Sequence, residues 1–393
     1  MAWANVLFWL IGALVTVHGF REQQSLESAG VGDALTKGDA PLVSVLVPAR
    51  NEEGRVLPAC IRSILAQDYG RFEVVAVNDR STDATGSILH AIARADSRLR
   101  VVDGVEPPPG WLGKPNALQQ ALVAAAEGEW VLATDADILF EKDALRAAIA
   151  YAVANDYDAL TLIPHIICLT FWERLFMPIF GWYMLMTVPV HRVNNPQRAE
   201  ALGVGGFFLM RREWLRRVGE FRAVRAEVAE DLRMAEILKG AGARLRIEYA
   251  PALISTRMQP TLGEIWEGFT KNLFAGTKFN LLQTVAGGLG ILGFAVAPVL
   301  VAILCLVAVW CGASGFWQQL LVPALAAWAI EVATFAYINR KWNTPIAYSL
   351  IVPLGHALFV AILFNSAFRI ATGSGVTWKG RKLYERQGVR PPR

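Results

Sequence analysis

The stretch VSVLVPA, Val43 to Ala49, is a short β-branched run closed by proline. That is the pattern of a strand buried on both faces. Working outward from it, 52–67 reads as a helix. FEVVAVND, Phe72 to Asp79, reads as a second strand. Residues 82–94 are again helical, with Ser81 or Thr82 available as a cap. LRVVDG, Leu99 to Gly104, is a third strand, and Pro107, Pro108, Pro109 and Gly110 then break the chain. A helix over 114–126 leads to EWVLATDAD, Glu129 to Asp137, as the fourth strand. Strands alternating with helices predict an α/β fold with a mostly parallel, Rossmann-like sheet covered by helices on both faces. Ligands bind beyond the carboxyl ends of such strands, and three of the four predicted strand ends carry polar residues. Farther on, LGVGGFFLMRR, Leu202 to Arg212, reads as a strand with a Gly-rich entry. Residues 228–240 form a helix opened by acidic residues and closed by Gly240 and Gly242.

The rest of the chain has another character. Hydrophobic residues make up 54% of the 393 and charged residues 18%, an apolar balance for a soluble domain. The excess is concentrated. No Asp, Glu, Lys or Arg occurs from Phe279 to Ile330, or from Trp342 to Ala367. The first run alone is long enough for two membrane-crossing helices of about 20 residues each. The organisation expected is an N-terminal transmembrane anchor (1–21), a catalytic domain (41–257), an amphipathic interfacial helix (261–278), about three transmembrane helices (281–371) and a basic tail (372–393). The anchor is read as retained, because the first charge is Arg21 and no A-x-A site follows the apolar run. Within the catalytic span, 171–190 is crowded with aromatic residues and Met and interrupted by Pro178 and Pro189. It reads as a segment lying at the headgroup level, or alternatively as a buried core helix. Glu331, inside an apolar run, is expected to snorkel or to pair helices.

Arg340 and Lys341 form a basic loop that the positive-inside rule puts in the cytoplasm. With the N-terminal span, this also places the catalytic domain in the cytoplasm, at a bacterial inner membrane. Three C-terminal crossings would put the basic tail outside, so the number of crossings stays open. That tail carries Lys379, Arg381, Lys382, Arg386, Arg390 and Arg393, read either as a membrane-surface patch or as a solvated end. A net charge of +4 makes no case for nucleic acid as a partner. Cys60, Cys168, Cys305 and Cys311 form no CxxC pair, so neither a disulfide framework nor a zinc site is expected.

The strongest chemical signal is Asp135 and Asp137 in TDAD, directly after the fourth strand. Two carboxylates at i and i+2 in a turn can meet one Mg²⁺ or Mn²⁺ ion, which completes its shell with water and phosphate oxygens. Alone, D-x-D is common by chance and reads as a solvated turn. Its position changes that. Asp79 ends the second strand, where a carboxylate can accept the imide N–H of uracil, and Asp83 follows in VNDRSTDAT. Lys114 and Asn116 open the next helix in GKPNAL, where a helix N-terminus favours phosphate. One predicted crevice thus collects Asp79, Asp83, Lys114, Asn116, Asp135 and Asp137.

VSVLVPARNEE, VNDRSTDAT, GKPNAL and TDAD, in this order, resemble the inverting family 2 glycosyltransferases with the GT-A fold. The resemblance implies a nucleotide-sugar donor, with Pro48, Ala49 and Glu52 lining its nucleotide pocket and Asp79 reading the base. It implies that Asp135 touches the ribose or the metal and that Asp137 binds the metal. The family's Gly-rich acceptor segment is matched by GVGGFF, which makes Gly205, Gly206 and Phe207 acceptor-side residues. Its acidic pair is matched by Glu230 and Asp231 in AEDLRM. Asp231 is then the general base for the acceptor hydroxyl, and Glu230 supplies a like charge that makes it a better one. On local sequence alone the pair would serve the helix macrodipole. The Q-x-x-R-W or R-x-x-R-W motif of polymer synthases and ceramide-type enzymes is missing from WEGFTKNLFAG, Trp266 to Gly276. That stretch looks more like bacterial carotenoid-type and hopanoid-associated glycosyltransferases. It makes Lys271 and Asn272 acceptor- or phosphate-side residues, or else a basic helix gripping lipid headgroups. The reaction expected is a single hexose transfer to a lipid-like acceptor in the membrane. Two alternatives stay open: a polyprenyl-phosphate acceptor, and a non-catalytic nucleotide-sugar-binding scaffold.

Overall fold

The computed structural model of the protein describes residues 2–22, 25–26, 40–125, 127–385, 389 and 391. Arg386, Arg390 and Arg393 of the expected tail, and Ala126 of the expected third helix, lie outside the described residues. The elements run α1 (Ala2–Glu22), β1 (Val43–Ala49), α2 (Leu57–Leu65), β2 (Phe72–Asn78), α3 (Thr85–Ala95), β3 (Leu99–Asp103), α4 (Gly113–Ala124), β4 (Trp130–Ala133), β5 (Ile138–Phe140), α5 (Ala144–Ala154), β6 (Ala159–Ile163) and β7 (His165–Ile166). They continue with α6 (Phe171–Thr187), α7 (Val190–Val193), β8 (Phe208–Arg211), α8 (Arg212–Arg217), α9 (Glu230–Gly240), β9 (Leu245–Tyr249), β10 (Ile254–Thr256), α10 (Leu262–Gly276), α11 (Leu281–Ile291), α12 (Ala297–Trp310), α13 (Phe316–Lys341), α14 (Val352–Ala371), β11 (Ser374–Trp378) and β12 (Arg381–Glu385). Two compact units share them. One holds residues 23–167, 190–258 and 377–393, and the other holds 1–22, 168–189 and 259–376.

The first unit is built on a seven-stranded sheet of order β3-β2-β1-β4-β8-β6-β9. Strands β1 to β4 are parallel, β8 runs antiparallel to both β4 and β6, and β9 is parallel to β6. Nearly every residue of β1 is buried, because helices cover both faces. Val43, Val45 and Val47 share one cluster with Leu57, Ile61 and Ile64 of α2, Leu89 of α3 and Ile149 of α5. Leu46 is also fully buried, as are Ala117 and Ala121 of α4. Each such aliphatic side chain of valine size or larger adds about 1.5–3 kcal/mol of burial. In the register, Ala49 lies opposite Asn78, so β1 and β2 end together and their following loops open at one edge. A smaller sheet, β5-β10-β7, flanks this one.

The second unit is helical. Among the described residues four helices are long and apolar enough to cross a membrane: 2–21, 281–310, 316–341 and 346–371. The span 281–310 is α11 and α12 joined by a π-helical turn at Leu292–Val296. Leu282, Leu304 and Trp310 point outward, as side chains facing lipid do. Helix α6 has the burial that the core-helix alternative expects on one side. Phe176, Ile179 and Trp182 are buried. Trp182 stacks on Trp9 with ring centroids 5.5 Å apart, and Phe176 meets Phe269 of α10 at 4.6 Å. A capping box of Thr170 and Glu173 starts α6, and Leu175, Phe176, Met177, Ile179 and Trp182 are buried along it while Phe171 stays exposed. The expected interfacial helix likewise buries Ile265, Phe269, Leu273 and Phe274. Glu331 does not snorkel. It is fully buried on α13, with its carboxylate 3.4 Å from Nε2 of the equally buried His356 on α14, which is the helix-pairing alternative.

Candidate functional site

The site lies in the first unit, at the carboxyl edge of β1, β2 and β4. Asp79 follows β2 and is almost buried. Its backbone N–H donates to the Ala49 carbonyl at 2.8 Å, which locks the ends of β1 and β2 together. Pro48 is half-buried and lies opposite Val77. Glu52 is buried in the loop after β1, where its N–H donates to Thr85 Oγ1 at 2.7 Å. The loop is thus pinned by its backbone, and its carboxylate is left for other partners.

The acidic crevice forms where β4 ends. Lys114, on the first turn of α4, places its ammonium 2.6 Å from Asp135 and 2.7 Å from Glu230. Burial opposes that charge, yet Asp135, Glu230 and Asp231 together hold its pKa well above the usual lysine value. Glu230 opens α9 and is buried. Burial pushes its carboxyl up, Lys114 pulls it down, and Asp231 and Asp135 push it up again, to about 7. Asp231 Oδ2 accepts from the Gly205 N–H at 2.7 Å, and its Oδ1 accepts from the Leu232 N–H at 2.8 Å. Gly205 is closely hemmed in: a Cβ there would stand 3.0 Å from Asp231 and 3.1 Å from both Asp135 and Lys114, so a larger residue would make these side chains shift. Lys114, Gly205, Glu230 and Asp231 line one small cavity with Thr134 and Phe208.

Asp137 shares the β4–β5 turn with Asp135. Burial raises its carboxyl, Asp135 and Glu52 repel it further, and Lys379 and Lys114 partly offset them, leaving it at about 7. No three His, Cys, Asp or Glu among the described residues converge as a complete metal cage. Two adjacent carboxylates that resist joint ionisation nevertheless suit a divalent cation, which would relieve that repulsion and take its remaining oxygens from water and diphosphate. The residues present fit Mg²⁺ or Mn²⁺.

These shifts have a consequence for stability. A carboxyl whose folded pKa exceeds its unfolded one stabilises the fold below the unfolded value and loses that contribution as pH rises through the folded value. For Glu230 the window runs from the ordinary 4.5 to about 7. Metal-free protein is therefore expected to lose thermal stability across that range, and Glu230→Gln to shrink the loss. Unfolding temperatures measured against pH check this, and an unchanged slope in the variant would count against the Glu230 assignment.

Several of the expected site residues have partners within the fold. Asp83 has partners on both oxygens: its Oδ1 accepts from the Thr85 N–H (3.0 Å) and Oγ1 (2.6 Å), and its Oδ2 from the Glu53 N–H (3.0 Å). It ties the loop after β1 to the start of α3. Asn116 is buried and donates its amide to the Val105 carbonyl at 3.4 Å, bracing the loop after β3. Phe207 is fully buried in the core, 5.9 Å from the Phe140 ring. It turns inward while the adjacent Phe208 lines the small cavity. Phe207→Ala should therefore cost about 3–5 kcal/mol of stability, read as a lowered unfolding temperature, without changing which acceptor is used. Gly206 is buried beside it, its carbonyl accepting from Thr134 Oγ1 at 2.7 Å. Lys271 and Asn272 lie on α10, in the helical unit.

The largest omission of the sequence reading is the C-terminal segment. Strands β11 and β12 form a two-stranded sheet, where a solvated or membrane-bound tail was expected. Lys379 pairs with Glu52. Arg381 Nη1 donates to Asp79 Oδ2 at 2.7 Å. The pattern GVTWKGRKLY does carry the signal, since Lys379–Gly380 is a two-residue turn between β-rich flanks.

The Glycosyl transferase family 2 profile matches residues 44–219, from the first strand to the end of α8. An N-acetylglucosaminyltransferase of Bradyrhizobium elkanii is 33% identical over 140 residues, which are 35% of this chain and 70% of that relative. The chain belongs to glycosyl transferase family 2. A beta-monoglucosyldiacylglycerol synthase of Synechocystis sp. is 30% identical to this glycosyltransferase over 181 residues, 44% of this chain and only 36% of the synthase. The match thus spans about a third of that relative. A mannosyltransferase from Pyrobaculum calidifontis, solved with GDP-Man and Mn2+, superposes with a TM-score of 0.53 at 21% identity, over 94% of this chain and 98% of that one. That likeness places the family 2 chain in the GT-A fold. The family match ends before α9, so the positions of Glu230 and Asp231, and of the C-terminal hairpin, stand on the geometry above.

Proposed function

We propose that this glycosyltransferase moves one hexose from a UDP-sugar to a hydroxyl of a membrane lipid, with inversion at the anomeric carbon. The observation that carries the reading is the convergence of Asp231, Glu230, Lys114 and Asp135 around the side-chain-free face of Gly205. That convergence sets a carboxylate base beside the leaving-group end of the site, where a sugar and an acceptor hydroxyl must meet. In this reading Pro48, Ala49, Glu52 and Asp79 line the nucleotide pocket, and Asp79 accepts the imide N–H of the base. Asp135 and Asp137 would hold Mg²⁺ or Mn²⁺, which neutralises charge on the diphosphate. Asp231 takes the proton of the acceptor hydroxyl as that oxygen bonds to the anomeric carbon. The bond from that carbon to the diphosphate oxygen breaks, and UDP leaves. Lys114 holds Glu230 and Asp135 in place beside it. Burial excludes water, which would otherwise compete as acceptor.

A lipid acceptor is supported by the four long apolar helices and by the relative named as a glucosyldiacylglycerol synthase. The same helices support a place in a bacterial inner membrane, with the crevice on the cytoplasmic side. Purified protein in bilayers is expected to release UDP from UDP-glucose or UDP-N-acetylglucosamine when bacterial lipid extract is added, and to stop when the divalent cation is chelated. Absence of nucleotide release from every UDP- and GDP-hexose offered would reject the reading.

A further inference from the structure

The C-terminal hairpin is fastened at both ends within the unit that carries the crevice. Its turn is Lys379–Gly380, with φ of 46° and 78°, the left-handed pair that a type I′ turn requires. The Lys379 carbonyl accepts from Arg50 Nε at 3.4 Å, beside the end of β1. On β12, Tyr384 is almost fully buried. Its hydroxyl donates to the Ala226 carbonyl and accepts from the Val228 N–H, both at 3.1 Å. That second anchor stands just before α9 and the acidic pair. The hairpin therefore reaches from the nucleotide end of the site to the base-bearing helix.

Between the anchors lies Arg381. Its Nη1 donates to Asp79 Oδ2 at 2.7 Å, and its Nη2 donates to the Asp79 carbonyl at 3.0 Å and to Oδ1 at 3.3 Å. Gly113 makes room for this guanidinium, since a Cβ there would collide with both Arg381 and the Asp79 carboxylate. Arg50 Nη1 donates to the Asp79 and Arg80 carbonyls at 2.8 Å. Arg80 Nε also donates to Asp79 Oδ1 at 3.3 Å, so three guanidiniums and the Lys379 ammonium are gathered around Asp79 and Glu52, two carboxylates of the loops that line the predicted nucleotide pocket. A carboxylate pinned beside guanidinium N–H groups displays an acceptor next to donors. That edge complements an N–H flanked by a carbonyl, as in uracil. An ammonium a few residues away supplies a point charge for phosphate.

We propose that the C-terminal hairpin is part of the donor site, with Arg381 contacting the nucleobase edge together with Asp79 and Lys379 contacting the diphosphate. This rests on the nucleotide-sugar reading above. The ion pairs with Asp79 and Glu52 keep both cations in position, and the nucleoside diphosphate enters beneath the turn.

The test is calorimetric titration of UDP into the full-length protein in detergent micelles, with thermal unfolding of each variant measured alongside. Arg381→Ala is expected to weaken UDP at least tenfold without lowering the unfolding temperature, and Arg381→Lys to recover part of the loss. Lys379→Met, which leaves the Tyr384 anchor and the Arg381 pair intact, should weaken UDP while leaving uridine binding unchanged. It serves as the deciding variant if Arg381→Ala does not fold. Unchanged UDP affinity in the variants would overturn the proposal. Tighter UDP binding would overturn it too, marking the hairpin as a plug that the donor must displace. If the unaltered protein binds neither UDP nor GDP, the donor reading itself falls, a result distinct from a hairpin that simply does not matter.

Discussion

Asp231→Asn is expected to lower sugar transfer by about 10³-fold, within the range a positioned general base supplies, while UDP affinity stays as it was. Asparagine keeps the size, and its single amide oxygen can still accept from one of the two N–H groups, Gly205 or Leu232, that hold Asp231, so calorimetric UDP binding also checks that the loop and the start of α9 keep their shape. What it loses is the ability to take a proton. The measurement is the rate of labelled sugar transfer under saturating donor, set beside calorimetric UDP binding. A variant with near-full activity would mean that the acceptor needs no base. The polyprenyl-phosphate alternative predicts that result, because a phosphate is already an anion at neutral pH. A variant that loses UDP affinity would instead place Asp231 on the donor side.

Asp137→Ala carries the second large effect. Burial and its neighbours Asp135 and Glu52 raise the Asp137 carboxyl to about 7, so at neutral pH the turn holds negative charge that a divalent cation would relieve. Removing this carboxylate is expected to abolish the Mn²⁺ or Mg²⁺ dependence of UDP binding and to lower turnover by about 10²-fold or more, since one metal contact is worth several kcal/mol of transition-state charge stabilisation. The unfolding temperature of the metal-free variant should not fall, because a strained carboxylate has been removed. Turnover unchanged and still metal-dependent would show that the ion sits elsewhere.

The catalytic fold was legible because its strands announce themselves. VSVLVPA and FEVVAVN are β-branched runs whose ends carry the polar residues, and parallel pairing follows from the helices between them. Helix starts were placed several residues early, at 52 and 82 against Leu57 and Thr85. The loops after β1 and β2 are tied to each other by side chain to backbone bonds such as Asn51 Oδ1 to the Thr82 N–H, which periodicity does not reveal. The partners of Asp83, Asn116 and Phe207 were hidden for a common reason. Sequence order placed them near the crevice, but it does not show that Asp83 and Asn116 also bond to neighbouring backbone or that Phe207 packs in the core. The hairpin was hidden differently. Its partners Glu52 and Asp79 lie some 300 residues earlier in the chain. A local run of positive charge reads the same whether it meets solvent, lipid or a distant carboxylate.

The central claim is that one crevice, with Asp231 as base, transfers a single sugar to a lipid with inversion. The most direct measurement is the anomeric configuration of the product, determined by proton NMR after incubation of the bilayer-embedded protein with α-linked UDP-glucose and lipid extract. The account predicts a chloroform-soluble lipid bearing one β-linked hexose. An α-linked product, or label that stays in water as free sugar or a soluble glycoside, would contradict it.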